Sequence, residues 1–315
     1  MRRLLSIAVS LLILALLWHA VDIRAIASAM GAAQPAWLAA GLACVVPLTA
    51  VTAWRFCLLS RTDLPLAASI RLALAASTLN MVLPSKMGDL AKAWVLHKRY
   101  GFDGGAALAL VVFEKTIDMA ALLAWGVLAL CLVADRPAML AAAAALALLL
   151  GMLMLALSPL RLVPDLMRRG ARWLPPRAHR AADDFARQWA LLAAWFWADR
   201  GRAGFIGLIS GALWAGHLVQ IWLFARTLGP HVPLAGSMAG ATLAILAGLL
   251  PFTMAGIGTR DAALVILFAR WLSPAQGAAL GVLATSRYLI PALAGLLFVR
   301  DYWEARQASA TLRRA

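Results

Sequence analysis

Stretches of roughly 18–28 residues with scarcely a charged side chain recur along this chain, at about 4–21, 36–58, 106–133, 137–158, 203–228 and 276–299. A helix needs about 20 such residues to cross a hydrocarbon layer ~30 Å thick, so each of the six reads as a membrane span. In lipid every backbone polar group must be satisfied from within, which favours helices. Composition agrees: 63% of the residues are hydrophobic, 14% are charged and the mean hydropathy is +0.83, outside globular usage. The expected fold is an all-α integral membrane protein, one polytopic domain over 1–315. Most of its non-membrane mass falls in the loop 159–202, so no separate catalytic domain fits.

The formal charge of +15 could suggest nucleic acid. Its distribution argues for a membrane instead, because arginines flank the apolar runs as cytoplasmic loops require. Arg2 and Arg3 precede the first run, and Arg300, Arg306, Arg313 and Arg314 follow the last. The 159–202 loop carries nine arginines against four aspartates. Both termini and this loop are expected on the cytoplasmic face of a bacterial inner membrane, with Met1–Ala20 an uncleaved first helix. The second span would deliver Arg55, Arg61 and Arg71 to that same face. Within the loop, Phe185, Trp189, Leu192 and Phe196 recur at helical spacing among charges, the pattern of an interfacial amphipathic helix.

Two shorter apolar segments break the series. One stops at Leu83-Pro84 and turns through Gly88-Asp89. The other stops at Leu250-Pro251 and turns through Gly256-Ile257-Gly258 to Arg260-Asp261, 167 residues further on as measured from Pro84 to Pro251. The apolar part of the first, 72–83, is about 18 Å long as a helix and has basic flanks on both sides. A re-entrant hairpin accounts for both facts. The same reading of the second break gives six full spans plus two re-entrant hairpins entering from opposite faces; if both segments crossed fully, there would be eight spans. Interrupted apolar segments at matching places in two halves mark transport sites.

Ionisable groups inside spans are costly unless paired or wetted, and they gather at these breaks. Lys86, Asp89 and Lys92 follow the first. Glu114, Lys115 and Asp118 lie near the start of the next span, with both carboxylates on one face at i,i+4. Arg260 and Asp261 follow the second break, and Arg287 lies about halfway along the last span. The chain has 25 arginines but four lysines, all between positions 86 and 115, and lysine is the cation that changes protonation when buried. Two readings stand side by side. In one, these residues form an ion-pair lattice, for instance Glu114 with Lys86 or Asp118 with Arg260. In the other, Lys86, Lys92, Arg260 and Arg287 receive an anionic headgroup while Asp89, Glu114, Lys115, Asp118 and Asp261 pair or gate them. Helix N-termini at Gly88 and Gly258 would add N–H donors.

Catalytic signatures are missing from the sequence. Asp89, Glu114 and Asp118 could in principle hold Mg²⁺, but no Asp-x-Asp pair, His/Asp cluster or phosphate-binding loop accompanies them. Ser85 and Thr253 have no histidine at motif spacing. Cys44, Cys57 and Cys131 sit in or beside apolar runs and read as small apolar residues. His217, one turn before Gln220, reads as a helix–helix hydrogen bond or a cavity-lining group. The chain is therefore expected not to be an enzyme and to need no cofactor.

Three motifs in order, Leu83-Pro84…Gly88-Asp89, Glu114-Lys115…Asp118 and Leu250-Pro251…Gly256-Ile257-Gly258-Thr259-Arg260-Asp261, resemble those of a flippase-like family. That family includes the N-terminal membrane region of lysylphosphatidylglycerol synthases. Lys115 stands where the family has arginine, and aspartate replaces glutamate at 89 and 261. The resemblance covers essentially the whole chain and implies lipid translocation or its support. With the last residue at Ala315, no cytoplasmic aminoacyl-transferase domain is expected. The expected partners are membrane lipids, anionic phospholipid or lipid-linked glycan. An envelope-biosynthesis enzyme is a further possible partner, for a hopanoid or polyprenyl pathway, if the protein is a non-transporting accessory subunit.

Overall fold

The computed structural model describes residues 23–82, 87–160, 162–249 and 258–299. Among them no strand occurs, and helices follow one another with short connections. They are α1 (Ile23–Gly31), α2 (Pro35–Ala43), α3 (Val45–Leu59), α4 (Leu66–Val82), α5 (Met87–Arg99), α6 (Gly104–Val133) and α7 (Pro137–Leu157). After these come α8 (Leu162–Ala171), α9 (Pro176–Ala198), α10 (Arg200–Leu228), α11 (Leu234–Gly248), α12 (Thr259–Leu267) and α13 (Pro274–Gly295), closed by a 3₁₀ turn at Leu296–Phe298.

Local sequence explains the boundaries. Proline opens α2, α7, α9 and α13 at the first turn, where its missing N–H costs nothing. Asp103 and Asp199 cap α6 and α10 by accepting from the backbone N–H of Ala106 and Arg202, each at 3.1 Å. Ser273 and Gln276 form a reciprocal capping box at α13. The step between α2 and α3 at Cys44 has a proline cause, since Pro47 has no N–H to offer the carbonyl of Ala43.

Five helical stretches are long and apolar enough to cross a membrane: Pro35–Leu59, Gly104–Val133, Pro137–Leu157, Arg200–Leu228 and Pro274–Phe298. They coincide with five of the six runs read from the sequence. The remaining run, 4–21, lies outside the described residues, as do Pro84, Lys86, Pro251 and Gly256 at the two breaks. The helix before the first break begins at Leu66, six residues earlier than the apolar run at 72. Its 17 residues cover about 25 Å, and the 15 of α11 about 22 Å, both short of a full crossing. The nine residues of α12, which closes at Leu267, are shorter still.

Two three-helix units emerge from the packing. In the first, α4 packs on α5 and α5 on α6; in the second, α11 packs on α12 and α12 on α13. The units then exchange their ends, α4 lying on α13 and α6 on α11. Among the described residues each unit is a short apolar helix, a second short helix and a long span. Close backbone approach requires small residues at these seams. A Cβ at Gly88 would meet the Ala76 carbonyl and, at 2.6 Å, the Asn80 nitrogen. A Cβ at Gly295 would meet the carbonyl of Leu74, beside the bond that Thr78 Oγ1 donates to the Ala292 carbonyl at 2.6 Å.

The Phe185, Trp189, Leu192 and Phe196 stripe is indeed one face of a helix, α9. Its last three residues are buried, so this face docks onto the protein. Phe113 of α6 meets the rings of Trp189 and Phe196 edge-on at 5.2 and 5.4 Å. The Trp189 and Trp197 indoles donate to the carbonyls of Ala156 and Leu157 at the end of α7, at 3.0 and 2.8 Å. Those orphan carbonyls at the helix end need donors, and the two indoles supply them.

Candidate functional site

Both α6 and α10 run through two apolar clusters. Leu110, Phe113, Ile117, Ala203 and Ile206 belong to one, whereas Leu122, Leu130, Leu218 and Ile221 belong to the other. At the changeover the helices carry polar groups: Glu114 and Asp118 on α6, Ser210, Trp214 and His217 on α10. The four-residue spacing of Glu114 and Asp118 places them on one face, as the sequence indicates.

The cation they share is Arg55 of α3. Its Nη1 lies 2.6 Å from Asp118 Oδ1 and donates to Ser210 Oγ at 3.0 Å, while Nη2 is 3.6 Å from Glu114 Oε1. Neither Arg55 nor Glu114 has any exposed surface. Arg55, read from the sequence only as one of the arginines at the cytoplasmic end of its span, is a core residue whose charge is held by two carboxylates. The signal was present, a lone ionisable group inside an apolar run, but its nearness to the end of that run hid its place in the network.

Lys92 completes Glu114, with Nζ 2.8 Å from Oε2 and 4.4 Å from the centre of the Phe56 ring. Lys115 bridges Asp118 at 3.4 Å and Asp89 at 3.7 Å. The Trp214 indole donates to Asp118 Oδ1 at 3.1 Å. Three cations and three carboxylates thus form one continuous network. Low dielectric makes such a network strong once complete and costly when one member is missing.

The second unit is simpler. Gly258, at φ +104°, turns the chain into α12, and its N–H donates to Asp261 Oδ2 at 3.1 Å. Arg260 donates to the other oxygen of Asp261 from Nε at 3.0 Å and Nη2 at 2.6 Å, and Nη2 also reaches Thr285 Oγ1 at 2.7 Å. The anticipated pairing of Asp118 with Arg260 does not form, because each finds a nearer partner. The alternative pairing of Glu114 with Lys86 involves a residue outside the described ones. Gly258 offers no free donor to a ligand, as its N–H is already taken by Asp261.

Arg287 on α13 differs from the other buried cations. It is 8% exposed, stacks over the Tyr288 ring at 4.9 Å, and has no carboxylate within ion-pair distance among the described residues. It lines a cavity of about 210 Å³ between the units, to which α5 and α6 contribute Asp89, Lys92, Lys115 and Asp118. Trp214 and His217 of α10 also face it, as do Thr49 and Thr52 of α3 and Ser77 and Asn80 of α4. Of the four cations read as headgroup ligands, then, Lys92 and Arg260 are ion-paired, Lys86 lies outside the described residues, and Arg287 is uncompensated. Among the described residues no cluster of three or more His, Cys, Asp or Glu is arranged to hold a metal ion. Asp89, Glu114 and Asp118 are instead neutralised by Lys and Arg.

Long apolar helices, two short apolar ones and a partly charged cavity among them define a multi-pass, all-α integral membrane protein. Residues 3–295 match the family described as the lysylphosphatidylglycerol synthase TM region, and the chain belongs to that family. Membership ties it to lipid-related membrane processes. No curated protein matches it in sequence.

Proposed function

We propose that the protein is a lipid carrier of the bacterial cytoplasmic membrane, passing an anionic phospholipid or lipid-linked envelope intermediate between leaflets without chemically altering it. The observation that carries this reading is Arg287, a buried arginine with no carboxylate partner among the described residues, on the wall of a cavity that both units help to line. A cation in that position costs several kcal/mol unless something anionic arrives. The short pair α4–α5 lines the cavity directly, and the pair α11–α12 leads into α13, which carries Arg287 on the opposite wall; as re-entrant hairpins from opposite faces the two pairs would open it alternately to each leaflet. Both termini would then be cytoplasmic. Lacking a nucleotide site, the carrier would draw on a lipid gradient, the membrane potential or protons.

The test is exchange of fluorescent anionic lipid between leaflets of proteoliposomes, comparing wild type with Arg287→Gln and Asp118→Asn. Exchange above empty vesicles that falls at least ~10-fold in Arg287→Gln is the expected outcome. Equal rates in all three, or none above background, would sink it. An inert protein that co-purifies with an envelope-lipid enzyme would point instead to an accessory subunit.

A further inference from the structure

The cavity constrains more than the sign of its ligand. Resting on the carrier reading of the same site, we infer that the headgroup it takes is a phosphodiester monoanion bearing hydroxyl groups, of glycerol or sugar type, rather than an amine-bearing one. Charge supplies the first half of this assignment. Around the cavity the described cations are Arg55, Lys92, Lys115 and Arg287, and the described carboxylates are Asp89, Glu114 and Asp118. Four against three leaves one positive charge, and Arg260 with Asp261 cancels separately. One phosphodiester neutralises that excess. A headgroup with a net positive charge would add to it, and a zwitterion would leave it standing.

Hydrogen-bonding valence supplies the second half. Thr49, Thr52 and Ser77 line the cavity, but each hydroxyl proton is already donated one turn back, to the carbonyls of Val45 and Leu48 at 2.7 Å and of Ala73 at 2.9 Å. What these side chains still offer is oxygen lone pairs. Asn80 Oδ1 is buried and has no hydrogen-bond partner among the described residues, another acceptor in want of a donor. Trp214, the indole on this wall, has its N–H committed to Asp118. The wall therefore combines one guanidinium for a phosphate with several acceptors for hydroxyl protons. An ammonium group could also donate to those oxygens, but the carboxylates on the wall, Asp89 and Asp118, are already held by Lys115 and Arg55, and Lys115 and Arg287 would repel it.

Native mass spectrometry of the full chain in detergent tests this with phosphatidylglycerol, phosphatidylethanolamine, lysylphosphatidylglycerol, phosphatidic acid and the soluble phosphodiester glycerophosphoglycerol. Phosphatidylglycerol should be retained about 10-fold more tightly than the two amine-bearing lipids. Arg287→Gln should abolish that preference and Arg287→Lys should keep it. The pair Thr52→Val with Ser77→Ala should weaken phosphatidylglycerol about 3-fold and leave phosphatidic acid, which lacks headgroup hydroxyls, unchanged. Either amine-bearing lipid binding as tightly as phosphatidylglycerol would overturn the assignment, as would an unaltered preference in Arg287→Gln. Competition by glycerophosphoglycerol equal to that of the intact lipid would overturn its lipid source. Selective binding with no leaflet exchange sinks the carrier reading and keeps this one. Exchange confined to amine-bearing lipids does the reverse.

Discussion

The α4–α5–α6 and α11–α12–α13 units have the same order of parts but treat charge in opposite ways. In the first unit Lys92, Glu114, Lys115, Asp118 and Asp89 join Arg55 in a network where every carboxylate touches a cation. In the second, Arg260 is closed off by Asp261 and Thr285, and Arg287 remains over. A charge that is fully paired can hold helices together but has little left for a ligand. A charge left over destabilises the fold until an anion meets it. On the proposed reading, the contrast separates scaffolding from binding within one cavity.

The largest effect that could break this comparison is at Glu114. Glu114→Ala leaves Lys92 buried without its carboxylate, takes one of the two from Arg55 and should cost roughly 3–5 kcal/mol, read as a lowered unfolding midpoint in detergent. A midpoint unchanged from wild type would mean that the network is not structural. Next come the seams. Gly88→Ala forces a methyl onto α4 backbone and should cost about 1–3 kcal/mol, more than Gly281→Ala, whose methyl would meet the Asp261 side chain at 3.0 Å. A reversed order would show that the second seam, not the first, is the tighter. Thr285→Val removes one charge-assisted bond from Arg260 and should cost about 1.5–3 kcal/mol, an effect confined to the second unit in hydrogen exchange. The smallest stability effect sharpens the contrast most. Arg287→Gln should leave the unfolding midpoint within ~1 kcal/mol of wild type, or raise it, while lipid exchange is lost. A loss of stability matching that of Glu114→Ala would place Arg287 in the scaffold.

Much of this was legible in the sequence because it is local. Span positions follow from run length and hydropathy, and the five described long helices fall where those runs predict. The i,i+4 face of Glu114 and Asp118 follows from helical periodicity alone. Arg55 escaped because a charge near the end of an apolar run looks like a loop anchor until the neighbouring helix is known. The Trp189–Phe196 stripe was visible as amphipathic, but periodicity cannot say whether the apolar face meets lipid or protein. Here it meets Phe113 and the carboxyl end of α7.

By itself the sequence determined that this chain lives in a bilayer as helices, where its two breaks lie, and that ionisable residues concentrate beside them. Those properties depend on neighbours a few positions apart. Only the tertiary structure decided which cation answers which carboxylate, since Arg55 and Asp118 are 63 positions apart in the chain and 2.6 Å apart in space. Pairing in a low-dielectric interior is won by whichever partner the helix packing brings within about 4 Å. That same packing supplies carboxylates to Arg55, whereas Arg260 takes the one beside it in the chain, and leaves Arg287 facing the cavity with none among the described residues.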